Sequence, residues 1–304
     1  MDAVTTATYN CTDPLQRAEG LAHAQRAIAQ KQCVVIPTDT VYGIAADAFS
    51  AQAVATLLAA KGRGRSMPPP VLIPRLQTMD GLATEVPAGG RALAEKFWPG
   101  PLTLILHAQP SLTWDLGETK GTVALRIPDD ELAQALLTIT GPLAVSSANR
   151  TGQAAAQTAS EAREQLAESV EVYLEEGFRP VEGTAESGGL PSTIVDCTGE
   201  RLRVVRQGAL SLDAIREIVP DVLGLGEEPE TLTEPEASQD PLTLAKPEEQ
   251  SEPGVPARVE PAQAEAEAVH AEAAQDEPAP SDPAMPAEPV MPAEPENVKG
   301  QPRD

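Results

Sequence analysis

The sequence CVVIPTDTVYG, at residues 33–43, carries the main fold signal of the chain. Its four apolar residues at 33–36 are closed by Pro37, which is typical of a short strand buried on both faces. Two threonine hydroxyls and the phenol of Tyr42 follow directly, and Gly43 allows the chain to bend. Open α/β sheets often place ligands where a buried strand ends in polar side chains in this way.

Helix and strand signals alternate on both sides of this segment. Asp13-Pro14 predicts the cap and first residue of one helix, and Ser50 predicts the cap of another that runs to Lys61. Further strands are predicted at 71–73, 102–106, 123–127, 143–145, 172–174, 193–195 and 202–205, and further helices near 91–97, 129–139, 159–168 and 211–219. Because the strands are irregularly spaced, the sequence predicts an α/β fold with a mixed sheet and helices on its faces.

The C-terminal quarter has a different composition. The chain has 304 residues and a formal net charge of −24, of which residues 1–223 carry −8 and residues 224–304 carry −16. The second segment contains 15 of the 30 prolines and none of the eight aromatic residues. It cannot bury enough apolar surface to offset the entropy lost on ordering. The sequence therefore predicts one domain at 1–222 and a disordered, acidic Pro/Glu/Ala-rich tail at 223–304.

Composition also argues against several classes of protein. No apolar run approaches the ~20 residues of a membrane helix, and no signal peptide is recognisable. The three cysteines and three histidines show no metal-ligand spacing, so no metal site is predicted. Phosphate loops of the GxxxxGK[ST] and GxGxxG types are missing. We expect a cytoplasmic protein with reduced thiols and no membrane partner.

The predicted domain contains four polar segments that could bind a ligand. The first follows the strand at 33–36, and the second lies at the end of the helix that Ser50 caps. The turn at 37–43 offers hydroxyl groups to a ligand, although a capped turn would use the same side chains. Lys61, Arg63 and Arg65 alternate with glycines, so they could clamp phosphates or complement the dipole of the preceding helix. Because they lie among glycines, we expect Lys61 and Arg63 to contribute little to core packing.

The other two segments end predicted strands. Arg126 interrupts an apolar strand and needs an anionic partner, either a ligand carboxylate or the side chain of Asp129 or Asp130. The run SSANRTG at 146–152 offers hydroxyls and an amide, which could contact a ligand or form a local turn. This inventory lacks a histidine base or a reactive cysteine. It suits positioning and electrostatic stabilisation of a phosphoryl or adenylyl transfer.

Six motifs in the same order resemble a known family. PTDTVYGIAADA, KGRGR, FWPGPLTLIL, ALRIPDD, SSANRTG and PSTIVD…VVRQGAL lie between residues 34 and 210. Together they resemble the threonylcarbamoyl-AMP synthase family of the YrdC type. The resemblance implies an open, twisted α/β sheet with a concave cationic cavity. It also implies a nucleotidyltransferase that converts L-threonine, bicarbonate and ATP into threonylcarbamoyl-AMP and pyrophosphate, for threonylcarbamoyladenosine formation in tRNA.

The resemblance further implies roles for individual residues. The threonine-binding residues would be Thr40, Arg126, Ser147 and Ser192. The nucleotide-binding residues would be Lys61, Arg63, Thr122, Asn149, Thr158 and Arg206, with Lys61 and Arg63 also acting in catalysis. Mg²⁺ would arrive with ATP, and tRNA or the downstream threonylcarbamoyl transferase would be a partner. The strand after KGRGR lacks the histidine of many members, so no residue is assigned there.

Two other functions remain open from the sequence. The same fold could serve as a non-catalytic RNA-binding module, although Tyr42 is the only aromatic residue near the motifs and aromatic side chains are the usual stacking platform. A similar domain also occurs in carbamoyl-transferring hydrogenase-maturation proteins. Those proteins carry zinc-type cysteine motifs and an acylphosphatase-like region, which this sequence does not show.

Overall fold

The computed structural model describes residues 6–181 and 190–228. The strands in this part of the chain are β1 (Ala7–Asn10), β2 (Val34–Ile36), β3 (Gly43–Asp47), β4 (Val71–Leu72), β5 (Ala83–Thr84), β6 (Leu102–Ala108), β7 (Thr122–Arg126), β8 (Leu143–Ser147), β9 (Val172–Glu175), β10 (Thr193–Asp196) and β11 (Arg203–Arg206). The helices are α1 (Pro14–Ala29), α2 (Ala51–Ala60), α3 (Leu76–Leu82), α4 (Ala88–Phe97), α5 (Glu131–Thr140), α6 (Ala159–Leu166) and α7 (Leu212–Ile218).

The strands form one open, mixed sheet. Their order is β1-β9-β2-β3-β8-β4-β7-β6-β10-β11, and β5 pairs with the far end of β6. Strand β9 is parallel to both β1 and β2, and the pairs β4–β7 and β6–β10 are also parallel. The other pairs, such as β3–β8 and β6–β7, are antiparallel. The predicted α/β class with a twisted mixed sheet is therefore confirmed.

Helices cover both faces of the sheet, and the alternation of side chains along each strand shows how. In β2, Val34 and Ile36 pack with α1 and α5, whereas Val35 packs on the opposite face with α2 and α6. In β6, the three leucines at 102, 104 and 106 share a core with residues of α4 and α7. Thr103 points to the other face, where it lines a cavity beside Leu72. The uncovered part of this face is thus the place for a ligand.

Two helix starts are confirmed at the predicted residues. The carboxylate of Asp13 accepts hydrogen bonds from the amides of Leu15 and Gln16, and Ser50 Oγ accepts one from the amide of Ala53. The strand positions predicted from apolar runs also match strands in the structure. The sequence reading missed four elements, β1, β3, β5 and α3. Three of these are short, and β3 begins with the glycine that we interpreted as a turn residue.

The described chain continues past the predicted domain boundary at residue 222. Leu223 forms a parallel bridge with Arg203 of β11, and Glu227 forms an ion pair with Arg216 of α7. The segment 229–304, and with it nearly all of the predicted disordered tail, lies outside the described residues. Within the described ranges, no helix combines the length and the apolar character needed to cross a membrane.

Candidate active site

A cavity of about 210 Å³ opens on the uncovered face of the sheet. It is bounded by the turn after β2, the ends of β8 and β7, the start of β6, and the segment leading into β10. Its walls combine three arginines with hydroxyl groups and a few apolar side chains. The lining residues are Thr38, Thr40, Val41, Tyr42, Gly43, Arg63, Pro68, Pro70, Leu72, Thr103, Arg126, Val145, Ser146, Ser147, Pro191, Ser192, Ile194 and Arg206. No carboxylate is among these described lining residues.

Arg126 is buried at the end of β7 and makes three contacts. Its Nε donates to the carbonyl oxygen of Gly100 (3.0 Å), its Nη1 to Thr40 Oγ1 (3.2 Å) and its Nη2 to Asp39 Oδ1 (2.5 Å). A guanidinium has five N–H donors, so two of them are left for a ligand. The expected alternative partners are wrong: Asp130 pairs with Arg179, and the side chain of Asp129 contacts neither arginine. The structural partner of Arg126 is Asp39.

The turn after β2 is closed by a threonine that the sequence reading did not single out. Thr38 Oγ1 donates to the carbonyl oxygen of Val41 (2.6 Å) and accepts from the amides of Thr40 and Val41. It also lies 3.1 Å from Thr40 Oγ1. The cap of this turn is therefore the Thr38 side chain. Thr40 is left to face Arg126 and the cavity.

Arg63 and Arg206 line the cavity and contact only neutral groups of the described protein. Arg63 Nη1 donates to Ser146 Oγ (3.2 Å), and its buried Nε has no partner. Arg206 donates to the carbonyl oxygen of Ser192 (2.7 Å from Nη2) and to Ser192 Oγ (3.0 Å). Burial lowers the pKa of both guanidinium groups, and the charges of Arg126 and Arg63 lower that of Arg206 further. The three arginines therefore repel one another and favour an anionic ligand.

Lys61 is buried beneath this cavity and is not one of its lining residues. It is 1% exposed, and its Nζ donates to the carbonyl oxygens of Ser147 and Asn149 (2.6 Å for the latter). Those contacts favour the ammonium form, but burial and the charge of Arg63 lower the pKa of Lys61 to about 8. The expectation that Lys61 contributes little to packing was therefore wrong. It joins the end of α2 to the end of β8.

The remaining predicted residues divide between the cavity and its surroundings. Ser147 and Ser192 line the cavity. Asn149 is buried behind it and donates from its amide to the carbonyl oxygens of Arg150 (2.9 Å) and Gln153 (2.7 Å). Thr158 caps α6 by accepting from the amide of Glu161. Thr122 lies at the opposite end of β7 from Arg126, and its Oγ1 donates to the carbonyl oxygen of Thr119.

The structure adds hydroxyl groups that sequence reasoning did not assign. Thr103 Oγ1 lies 2.8 Å from Ser192 Oγ, and the hydroxyl of Ser146 holds Arg63. Thr103 is the polar residue of the apolar run LTLIL, the same signal that singled out Arg126. Ser146 is next to the predicted Ser147 at the end of β8, and the structure places both of them on the cavity wall. A polar residue inside an apolar strand could therefore have identified Thr103 but not Ser146.

The cavity lacks the groups needed for some other chemistries. Burial raises the pKa of the Cys33 thiol to about 12, and the other two cysteines are also buried, with their thiol pKa values raised for the same main reason. Tyr42 is fully buried, and its hydroxyl donates to the carbonyl oxygen of Gly177 (2.6 Å), so its ring offers no stacking platform. In the described ranges, no three His, Cys, Asp or Glu side chains come together as metal ligands.

The fold and this cavity define an α/β domain with a cationic cavity at the open face of a mixed sheet. Residues 26–208 match the model of the Sua5, YciO and YrdC family, which carries the description "Telomere recombination". This match covers more than half of the chain, so the protein belongs to the Sua5/YciO/YrdC family. The predicted family resemblance is confirmed.

Individual relatives support the same assignment. A Mycobacterium tuberculosis protein provisionally named a threonylcarbamoyl-AMP synthase is 50% identical over 214 residues, which cover 70% of this chain and 95% of that protein. The threonylcarbamoyl-AMP synthase of Pyrococcus abyssi is 31% identical over 196 residues, which cover 64% and 56%. The crystal structure of P. abyssi Sua5 complexed with L-threonine has a TM-score of 0.65 at 28% identity, and the match covers 74% of this chain and 66% of that one.

Proposed function

We propose that the protein is an L-threonylcarbamoyladenylate synthase, a nucleotidyltransferase that forms threonylcarbamoyl-AMP and pyrophosphate from L-threonine, bicarbonate or CO2, and ATP. The proposal is supported by relatives named for this activity and by the threonine complex of P. abyssi Sua5. The observation that carries it is a division of charge within one cavity. Arg126 is paired with Asp39 and keeps two N–H groups free, whereas Arg63 and Arg206 contact only neutral oxygens.

This division suits one amino acid and one polyphosphate. The two free N–H groups of Arg126 match the two oxygens of a carboxylate, and Thr40 and Ser147 place hydroxyls beside it. Arg63 and Arg206 can hold phosphate oxygens, and the unpartnered Nε of Arg63 would gain an acceptor when they do. Ser192, which directly precedes β10, is held by Arg206 and Thr103.

The protein's contribution to the reaction is positioning and charge stabilisation. The threonine nitrogen forms a bond with the carbon of CO2 and loses a proton, which gives a carbamate. A carbamate oxygen then forms a bond with the α-phosphorus of ATP, and the bond from that phosphorus to pyrophosphate breaks. Negative charge shifts onto the leaving pyrophosphate, where Arg63 and Arg206 would stabilise it. Lys61 would act indirectly, because its ammonium group donates to the carbonyl oxygens of Ser147 and Asn149 and so holds the turn that they form.

The described residues do not form a magnesium site of their own. Mg²⁺ prefers oxygen ligands, with one or two carboxylates, and the cavity presents arginines and hydroxyls instead. We therefore propose that Mg²⁺ enters with ATP rather than as a resident ion. We also propose a cytoplasmic location, where ATP and tRNA are available, and tRNA or the downstream transferase as a partner.

The test is to incubate the full chain with ATP, Mg²⁺, L-threonine and labelled bicarbonate. We expect pyrophosphate release that requires threonine, and label in a product that contains both threonine and AMP. Pyrophosphate release without threonine, or none at all from folded protein, would contradict the proposal. Tight RNA binding by a protein that shows no turnover would favour the non-catalytic RNA-binding module.

A further inference from the structure

Asp39 does not line the cavity, but its carboxylate contacts Arg126, which does. Its Oδ1 accepts from Arg126 Nη2 (2.5 Å) and from the amide of Asp129 (3.0 Å). Its Oδ2 is buried and has no hydrogen-bond partner. The side chains of Asp39 and Arg126 are 12% and 8% exposed, so water screens their interaction weakly. This carboxylate therefore acts on the cavity mainly through its charge and through Arg126.

The position of Asp39 makes the charge of the cavity uneven. Arg126 with Asp39 forms a nearly neutral pair, whereas Arg63 and Arg206 have no carboxylate partner among the described residues. The surroundings of Arg126, which we call the amino-acid end, are therefore dipolar. Those of Arg63 and Arg206, which we call the phosphate end, are strongly cationic, and the charge of Arg126 still lowers the pKa of Arg206. An amino acid is a zwitterion with no net charge, and a polyphosphate carries several negative charges. The two kinds of ligand therefore differ in net charge, and so do the two ends of the cavity.

We propose that Asp39 is a specificity-determining residue that sorts the two substrates by charge. The inference rests on the proposed function. By neutralising Arg126, Asp39 leaves enough hydrogen-bonding capacity to hold the threonine carboxylate but too little net charge to hold a phosphate chain. Without Asp39, the cavity has three uncompensated guanidinium groups, and a polyphosphate can occupy the amino-acid end. Asp39 also fixes the plane of the Arg126 guanidinium, so that its two free N–H groups keep one orientation.

The substitution Asp39→Asn tests the charge while keeping the shape and one hydrogen-bond acceptor. We expect weaker threonine binding, by about tenfold, because Arg126 loses the anion that orients it. We also expect polyphosphate binding to strengthen by about tenfold, because a unit charge close to the site has been removed in a poorly solvated place. A purely structural role for Asp39 would weaken binding of both ligands and could not strengthen either.

The experiment is titration calorimetry of L-threonine into the full-length protein, with and without saturating inorganic pyrophosphate. In the wild type, we expect pyrophosphate to change the threonine Kd by less than about threefold, because the two ligands occupy separate ends. In Asp39→Asn, we expect pyrophosphate to compete and to raise the apparent threonine Kd by about tenfold or more. Asp39→Glu keeps the charge and should behave more like the wild type.

Asp129→Asn is the matched control. It removes a neighbouring negative charge whose side chain does not contact Arg126, so threonine and pyrophosphate should still bind independently. Weaker threonine binding in a folded Asp39→Asn protein, without pyrophosphate competition, would overturn the inference, and so would unchanged binding of both ligands. If the wild type neither binds threonine nor releases pyrophosphate, the proposed function fails and the inference with it. If it does both while Asp39→Asn still keeps the ligands separate, only the inference about Asp39 is wrong.

Discussion

Arg126→Lys is the substitution that most directly tests how the cavity holds an amino acid. The wild-type guanidinium contacts Gly100, Thr40 and Asp39 and keeps two donors for the ligand. A lysine ammonium retains the positive charge, but it is a compact group and lacks the planar arrangement of N–H donors that a guanidinium has. It can keep the ion pair with Asp39 or approach the ligand, and it cannot reproduce all of the wild-type contacts.

The size of the effect follows from these contacts. Loss of the hydrogen bonds to Gly100 and Thr40 should lower the free energy of unfolding by about 2 kcal/mol, at roughly 1 kcal/mol for each bond. For a fold of this size, that corresponds to a fall in melting temperature of about 4–8 °C. Loss of one charge-assisted bond to the threonine carboxylate costs about 1.5–3 kcal/mol, which is about 10- to 100-fold in Kd. ATP affinity should change by less than about threefold, because in our proposal its phosphates contact Arg63 and Arg206 rather than Arg126.

The assay combines calorimetric titration of each substrate with thermal melting of the same samples. Arg63→Lys is the matched control, because it removes an equivalent fork at the phosphate end. Arg63 has one hydrogen bond to the described protein, so its melting temperature should fall less than that of Arg126→Lys. We expect Arg63→Lys to weaken ATP by about tenfold and to leave threonine within about threefold, the reverse of the pattern for Arg126→Lys.

Two results would refute the assignment of Arg126. Unchanged threonine affinity in a folded Arg126→Lys protein would mean that the two free N–H groups do not bind the carboxylate. An equal loss for threonine and ATP, with a large fall in melting temperature, would mean that Arg126 serves only to hold the turn through Asp39. The comparison between the substrates is decisive, because the structure already predicts some loss of stability in either case.

Three further predictions concern stability and the tail. The pKa of Lys61 is lowered to about 8 in the folded protein, so between about pH 8 and 10 the unfolded chain binds a proton at Lys61 that the folded chain has lost. The unfolding free energy of the wild type, relative to that of Lys61→Met, should therefore rise over this pH range in denaturant titrations. A difference that does not change with pH would contradict this. Asp130→Ala should lower the unfolding free energy by about 1–3 kcal/mol, because it removes the cap of α5 and one of the two carboxylate partners of buried Arg179, the other being Glu176. Asp129→Ala should change it by less than about 1 kcal/mol. A chain truncated after residue 228 should keep threonine-dependent pyrophosphate release, and loss of turnover in a folded protein would show that the tail takes part.

Much of the fold could be predicted because its elements carry strong local signals. The caps at Asp13 and Ser50 and the apolar runs of the longer strands are visible in the sequence and lie where expected. Strand β3 was missed because its residues, GIAAD, are small and follow a polar turn. Its identity as a strand depends on pairing with β2 and β8, which is information that no short window of sequence contains.

The cavity shows the same limit. Arg63, Arg126, Ser147, Ser192 and Arg206 could be placed by motif, and all of them line it. The sequence could not show that Asp39 would be the partner of Arg126, because several acidic residues lie close enough in the chain to compete for it. It could not show that Lys61 is buried either, since burial depends on the approach of β8 to the end of α2. Glycines on both sides of a lysine indicate a flexible backbone and say nothing about what covers the side chain.

The cavity walls come from eight separate stretches of chain, from Thr38 in the turn after β2 to Arg206 at the end of β11. No fragment that ends before β11 contains all three arginines of the cavity. Substrates can therefore bind only after the central strands and the β10–β11 edge have come together, and their binding energy is added to the stability of the whole sheet. The rise in melting temperature on adding threonine or ATP thus reports directly how much of the site is occupied. A growing chain in which β11 has not yet been synthesised can bind neither substrate.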